Sequence, residues 1–171
     1  MKTVFLKRVA IVAIAVLTMS LSAAAQKKGD MDAGANLLYG STSGWSNLGL
    51  GAKFRYNVTD PIRLAAEFDY FLKKDYLTMW DFSVYGHYLF PVADKTVVYP
   101  LAGLGVVGST AGGGSLMGYS IPSYSSSDFV FTLGGGADYE ISPNLTLNGE
   151  LRLKLKSGTM FVVAVGVAYK F

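Results

Sequence analysis

The chain has 171 residues, 51% of them hydrophobic, and carries 15 Lys+Arg against 12 Asp+Glu. One domain is therefore the default. It has no cysteine, which excludes a disulfide framework and a lipidated N-terminal cysteine. The formal charge of +3 does not indicate nucleic-acid binding, because the excess sits in an N-terminal stretch that reads as removable.

That stretch has Lys2, Lys7 and Arg8 before an unbroken apolar run, Val9 to Leu17, which is too short to span a bilayer as a helix. Ala23-Ala24-Ala25 then fits the small-x-small cleavage rule. Residues 1–25 are predicted to be a signal peptide, with cleavage before Gln26, and residues 26–171 to be the mature domain. Once those three bases are removed, the signs balance.

From there the chain alternates. Asp30 to Gly40 sets Met31, Ala33, Ala35, Leu37 and Tyr39 against Asp32, Gly34, Asn36 and Leu38. A period of two is the strand period. After the loop STSGW, Leu48 to Val58 alternates apolar residues with Lys53 and Arg55 among others. Thr59-Asp60-Pro61 is a tight turn. A third segment, Ile62 to Leu72, opposes Arg63, Glu67 and Asp69 to an apolar face, and Lys73 to Leu77 is a polar loop. A fourth, Met79 to Phe90, opposes Trp80, Phe82, Val84 and Tyr88 to Asp81, Ser83, Tyr85 and His87. Pro91 to Thr96 turns the chain. The fifth, Val97 to Val107, is ambiguous in parity; Val98, Pro100, Ala102, Leu104 and Val106 are taken as outward. Gly108 to Ser127, rich in Gly, Ser and Tyr, is expected to be the one long loop. Phe129 to Ile141 and Leu145 to Lys156 follow, separated by Ser142-Pro143-Asn144. The last segment runs from Met160 to Phe171 after Ser157-Gly158-Thr159. Its Phe161, Val163, Val165, Val167, Tyr169 and Phe171 form a wholly apolar face.

These segments are about ten residues or longer, whereas soluble strands average about five or six. A tilted strand of about ten residues crosses the hydrocarbon. Aromatic residues gather near the ends of the apolar faces, as two interfacial girdles would require. Short proline-containing turns lie at one end and the long connection at the other. With no apolar helix after Gln26, backbone pairing in lipid requires a closed barrel. The prediction is an all-β, eight-stranded antiparallel up-and-down transmembrane β-barrel, preceded by a cleavable signal peptide.

In these patterns the chain resembles the small eight-stranded outer-membrane barrels of Gram-negative bacteria, the OmpX-like and OmpA-barrel-like families. The resemblance implies residence in the bacterial outer membrane, among lipid and lipopolysaccharide. It also implies that VAVGVAYKF, through Val163, Val165, Val167, Tyr169 and Phe171, is the signal read by the barrel-assembly machinery during insertion. The loops depart from the OmpX pattern, since only Gly108 to Ser127 is long. The peptidoglycan-tethering role of full-length OmpA-type proteins is not expected, since no periplasmic domain follows Phe171.

Placing the apolar faces outward sends Lys53, Arg55, Arg63, Glu67, Asp69, Asp81, Asp138, Glu140, Glu150, Arg152 and Lys154 into the lumen, with Asp32 and Lys170. This set reads either as a charged pore or as a self-neutralising network, because eight strands leave an interior just wide enough for side chains. The turn at Thr59-Asp60-Pro61 predicts that Lys53 faces Glu67 across neighbouring strands. Three roles follow: a structural or surface-interaction protein, with a narrow channel for water or small ions as the alternative and a lipid-modifying enzyme as the third reading. No catalytic, cofactor-binding or metal site is expected. His87 is the lone histidine and lacks a fixed partner spacing, and Gly112 to Gly114 and Gly134 to Gly136 open no helix. Loop 108–127, with Leu116, Met117, Tyr119, Ile121, Pro122 and Tyr124, is a candidate for surface-ligand contact or a flexible cover over the mouth.

Overall fold

The computed structural model describes residues 27–171 except 75, 117, 118 and 157. The expected signal peptide and its cleavage point lie outside the described residues. Nine strands form: β1 Met31–Thr42, β2 Trp45–Asn57, β3 Ile62–Lys74, β4 Leu77–Tyr88, β5 Phe90–Ala93, β6 Thr96–Leu116, β7 Tyr119–Ser142, β8 Leu145–Leu155 and β9 Thr159–Lys170. β4 and β5 both pair with β6 in one continuous register on either side of Leu89 (His87 opposite Leu101, Phe90 opposite Val98), so together they make one wall. Each wall pairs antiparallel with the next in sequence, and β9 returns to β1. The result is a closed eight-stranded antiparallel barrel, which leaves no edge within the wall.

Alternation assigns the faces. Leu48, Leu50, Phe68, Val84, Leu104, Leu151 and Val165 are exposed on the outside, while Lys53, Glu67, Asp81 and Arg152 are buried inside. β6 takes the predicted parity: Val97, Tyr99, Leu101 and Val107 point inward and Leu104 outward. Rings cluster at both ends of the outer surface. Phe68 stacks on Trp80 at one end, with centroids 6.3 Å apart, and Phe54 meets Phe171 at the other, at 6.4 Å.

Three expectations about connections are corrected. The loop STSGW shrinks to a two-residue turn, because Thr42 pairs with Trp45 and Gly44 supplies the left-handed φ of +77°. Part of the expected turn from Pro91 to Thr96 is the short β5. Gly108 to Leu116 and Tyr119 to Ser127 are strand rather than loop. β6 and β7 stay paired from Thr96 opposite Tyr139 up to Leu116 opposite Tyr119, as one hairpin that continues past the barrel rim. Its Gly- and Ser-rich composition carries no apolar alternation. Extended backbone is imposed there by a register that propagates upward from the wall.

Candidate functional site: the filled lumen and the hairpin edge

The lumen is layered. Nearest the rim that holds Met31 and Phe171, Arg55 on β2 donates from Nε to Asp32 at 2.5 Å and from Nη1 to Asp138 at 3.1 Å. Arg63 on β3 reaches the same Asp138 at 2.6 Å, and its Nε donates to Nδ1 of His87 at 3.1 Å. The Arg63 guanidinium lies 4.6 Å from the centroid of Tyr99. His87 and Tyr99 stack at 4.7 Å with an interplanar angle of 11°. The Nδ1 of His87 is thus occupied as an acceptor, and Ser83 donates to Asp81 at 2.8 Å rather than to the histidine. Among the described residues no Ser–His pair is assembled. Among the described residues no His, Asp and Glu cluster is arranged to hold a metal.

The middle layer is centred on Arg152 of β8, which is wholly buried. It donates to Glu67 at 2.5 Å, to Asp69 at 3.2 Å and from Nε to Glu150 at 2.8 Å. Glu67 and Asp69 stand on β3, across the barrel, so one guanidinium ties opposite walls together. Lys53 donates to Asn148 at 2.7 Å and to Glu150 at 3.0 Å; Glu67, directly opposed on the neighbouring strand, is 3.8 Å away. The register is therefore the one the turn predicts. The closer partners of Lys53 lie on β8, because the lysine stem is long enough to cross the narrow lumen. Tyr99 donates to Glu150 at 2.9 Å. Its ring lies over Gly136, where an added Cβ would stand 2.7 Å from Cζ, so this glycine makes room for the tyrosine. Lys154 pairs with Asp81 at 2.5 Å and approaches Asp69 at 3.7 Å.

Two predicted lumen charges stand apart. Glu140 forms no ion pair among the described residues; it lines the open rim with Asp30, Lys95 and Lys170, where a cavity of about 20 Å³ remains. That is room for a water molecule or two. Lys170 binds Asp30 at 2.7 Å at the same rim. Both are corrected from lumen filling to rim positions, because each lies at the end of its strand, Glu140 where the β7–β8 register shifts and Lys170 as the last residue of β9.

Above the charges lies a layer that alternation alone does not announce. Leu38, Phe71, Met79, Val107, Met160 and Val162 are buried together on the hairpin side. Trp45 packs against Phe71 edge to face at 5.8 Å. All are inward by parity, so the signal was present in the sequence as apolar residues on the polar face. Ion pairs below and this apolar plug above fill the lumen between the rims.

The second feature lies outside. β4 accompanies β6 up to Ala111, but β8 leaves β7 at Phe131, opposite Leu155. Among the described residues, β7 from Tyr119 to Val130 is therefore paired on one side only, with β6. Ser123 through Phe129 are exposed along this free edge. Of the residues expected to make surface contacts, Tyr124 is exposed; the side chains of Leu116, Met117, Tyr119, Ile121 and Pro122 lie outside the described residues.

Residues 11–171 match the model of the outer membrane protein beta-barrel domain. In structure the chain is similar to Ail, the attachment invasion locus protein of Yersinia pestis, at 17% identity and a TM-score of 0.60, over 84% of this chain and 99% of Ail. It is similar to Neisserial surface protein A at 17% identity and 0.63, over 83% and 96%. The N-terminal β-barrel domain of Pseudomonas aeruginosa OprF gives 14% and 0.57, over 85% and 100%. At such identities the likeness concerns the fold. No curated protein matches the chain in sequence.

Proposed function

The chain belongs to the outer membrane β-barrel family and resides in the bacterial outer membrane, and from this we propose that it is a non-conducting surface-interaction protein whose working element is the free edge of β7. The observation that carries this reading is the edge of β7 from Tyr119 to Val130, which among the described residues is paired only with β6, on its other side. An exposed strand edge is a template for adding another strand, with main-chain hydrogen bonds supplying affinity. The edge is lightly protected: from Ser123 to Phe129 it carries one charge, Asp128, and no lysine, with Pro122 just before it. The hairpin end faces the cell exterior on this reading, as longer connections do in such barrels.

Ail has been crystallised with the heparin analogue sucrose octasulfate. A polyanion suits this hairpin poorly, because residues 108–127 contain neither lysine nor arginine. An extended, uncharged peptide segment fits the edge better. The charged lumen serves as filling and cross-bracing, and the apolar plug argues against the channel reading. The terminal residues Val163, Val165, Val167, Tyr169 and Phe171 serve as the insertion signal, in keeping with their wholly outward face.

Two measurements test the proposal. In planar bilayers the purified barrel is expected to give no discrete conductance steps; steady single-channel openings would revive the channel. On intact cells, a photo-crosslinking amino acid at Ser127 is expected to give a discrete adduct, and Ser125→Lys on the same edge to suppress it. No adduct, or one indifferent to the lysine, would count against the edge.

A further inference from the structure

We propose that the outer wall beneath the hairpin holds one ordered acyl chain of a membrane lipid. The site follows from where β8 stops. Because β7 continues without it, Phe129 stands 88% exposed, with a groove beside it. Phe82 and Val84 of β4, Leu104 and Val106 of β6, and Phe129 and Phe131 of β7 wall this groove. Leu155, the last residue of β8, closes it below the free edge, and the floor is backbone at Gly105 and Val130, whose side-chain positions point the other way, into the lumen. Register sets the depth: Phe82, Val106 and Phe129 share one rung, and Val84, Leu104, Phe131 and Leu155 share the next. Trp80 sits one step above, its indole lying against Gly108 of β6. The groove thus opens just inside the aromatic band on the hairpin side.

Its volume is about 490 Å³, many times the space that one water-sized group needs. This matches an extended hydrocarbon chain rather than a single side chain. No charged or polar side chain lines it, so an occupant must be apolar along its whole contact. The groove is continuous with the lipid-facing belt of the barrel, where acyl chains are the apolar material at hand. A second groove on the outer wall, beside Ala137, Leu147, Gly149 and Val165, has about half the volume, 240 Å³. In the larger groove a chain is bounded on two sides and immobilised against three rings, so it leaves more slowly than its neighbours. This site shares Phe129 and Val130 with the peptide edge proposed above, but its occupant and its test are separate.

Trp80 reports on it. The chain has two tryptophans, and Trp45→Phe leaves Trp80 alone. The barrel is reconstituted in bilayers of a phosphatidylethanolamine with brominated acyl chains, then transferred into an excess of unbrominated detergent. Residual quenching of Trp80 is expected, together with a mass of one retained lipid per barrel by native mass spectrometry. Val84→Phe with Leu104→Phe fills the groove while keeping the wall apolar, so it is expected to lose both the quenching and the lipid mass. Quenching that vanishes on transfer in both proteins overturns the proposal. So does a lipid-free dimer mass, which would give the groove to a second copy.

Discussion

Arg152 shows how much one side chain carries when walls face each other across a filled lumen. It contacts Glu67, Asp69 and Glu150 at once, and no bulk water reaches those carboxylates. Removing one member of a buried pair leaves an uncompensated charge, which costs about 3–5 kcal/mol. Arg152→Met is therefore expected to lower the stability of the barrel by that order in detergent unfolding, with Arg152→Lys recovering part of it. Lys53 and Glu67 make a finer test. Their 3.8 Å separation exceeds the 3.0 Å between Lys53 and Glu150, and Arg152 already holds Glu67. A double-mutant cycle over Lys53→Met and Glu67→Gln is expected to give a smaller coupling energy than one over Arg152→Met and Glu67→Gln. The reverse order would mean that the neighbouring-strand pair outweighs the cross-lumen one. The face on which each of these charges stands can be read from a period of two. Their partners cannot, because a period of two says nothing of which residues meet across the interior. That depends on how the strands are staggered when the ring closes, as the reach of Lys53 to Asn148 and Glu150 shows.

At the level of strands, β9 and the β6–β7 hairpin make opposite demands. β9 is paired along its length on both sides, with β1 and with β8, and its outward face ends on Phe171, against Phe54. Phe171→Ser is expected to reduce the amount of assembled barrel in cells while leaving refolding in detergent closer to normal. Equal reductions in both settings would assign Phe171 to packing rather than to a signal. The alternation of Met160 to Phe171 made this strand plain in the sequence, as did the turn at Thr59-Asp60-Pro61, which fixed Lys53 opposite Glu67. The hairpin extension was hidden for a physical reason. Gly112-Gly113-Gly114 and Ser125-Ser126-Ser127 have neither apolar alternation nor strong strand propensity, and their extension follows from neighbours already aligned lower in the wall. The apolar plug was hidden differently. Leu38, Phe71, Met79 and Met160 occupy the inward face of four separate strands, and only the closed ring brings them together.

The molecule as a whole reverses the arrangement of a water-soluble barrel, with charge inside and apolar surface outside, and its stability is that of a closed ring. In detergent the unboiled protein is expected to run at a different gel mobility from the boiled one, since a paired ring stays compact until heat opens it. Identical mobilities would contradict closure. The seam where β1 meets β9 has a further consequence. Asp32 pairs with Lys170, and the N–H of Phe171 donates to the carbonyl of Met31 at 3.2 Å, so the start of β1 and the end of β9 are neighbours on one rim. Nothing in the hydrogen bonding distinguishes this seam from the junction between any other adjacent walls. The ring, seen as a pattern of contacts, has no first strand. The start of β1 and the end of β9 could be joined by a short Gly/Ser linker and the barrel cut instead between Ser43 and Gly44, at the opposite rim, and the same ladders would remain available. Chain order in this barrel would then govern the sequence in which strands are delivered to the membrane, while the native pairing itself is indifferent to it.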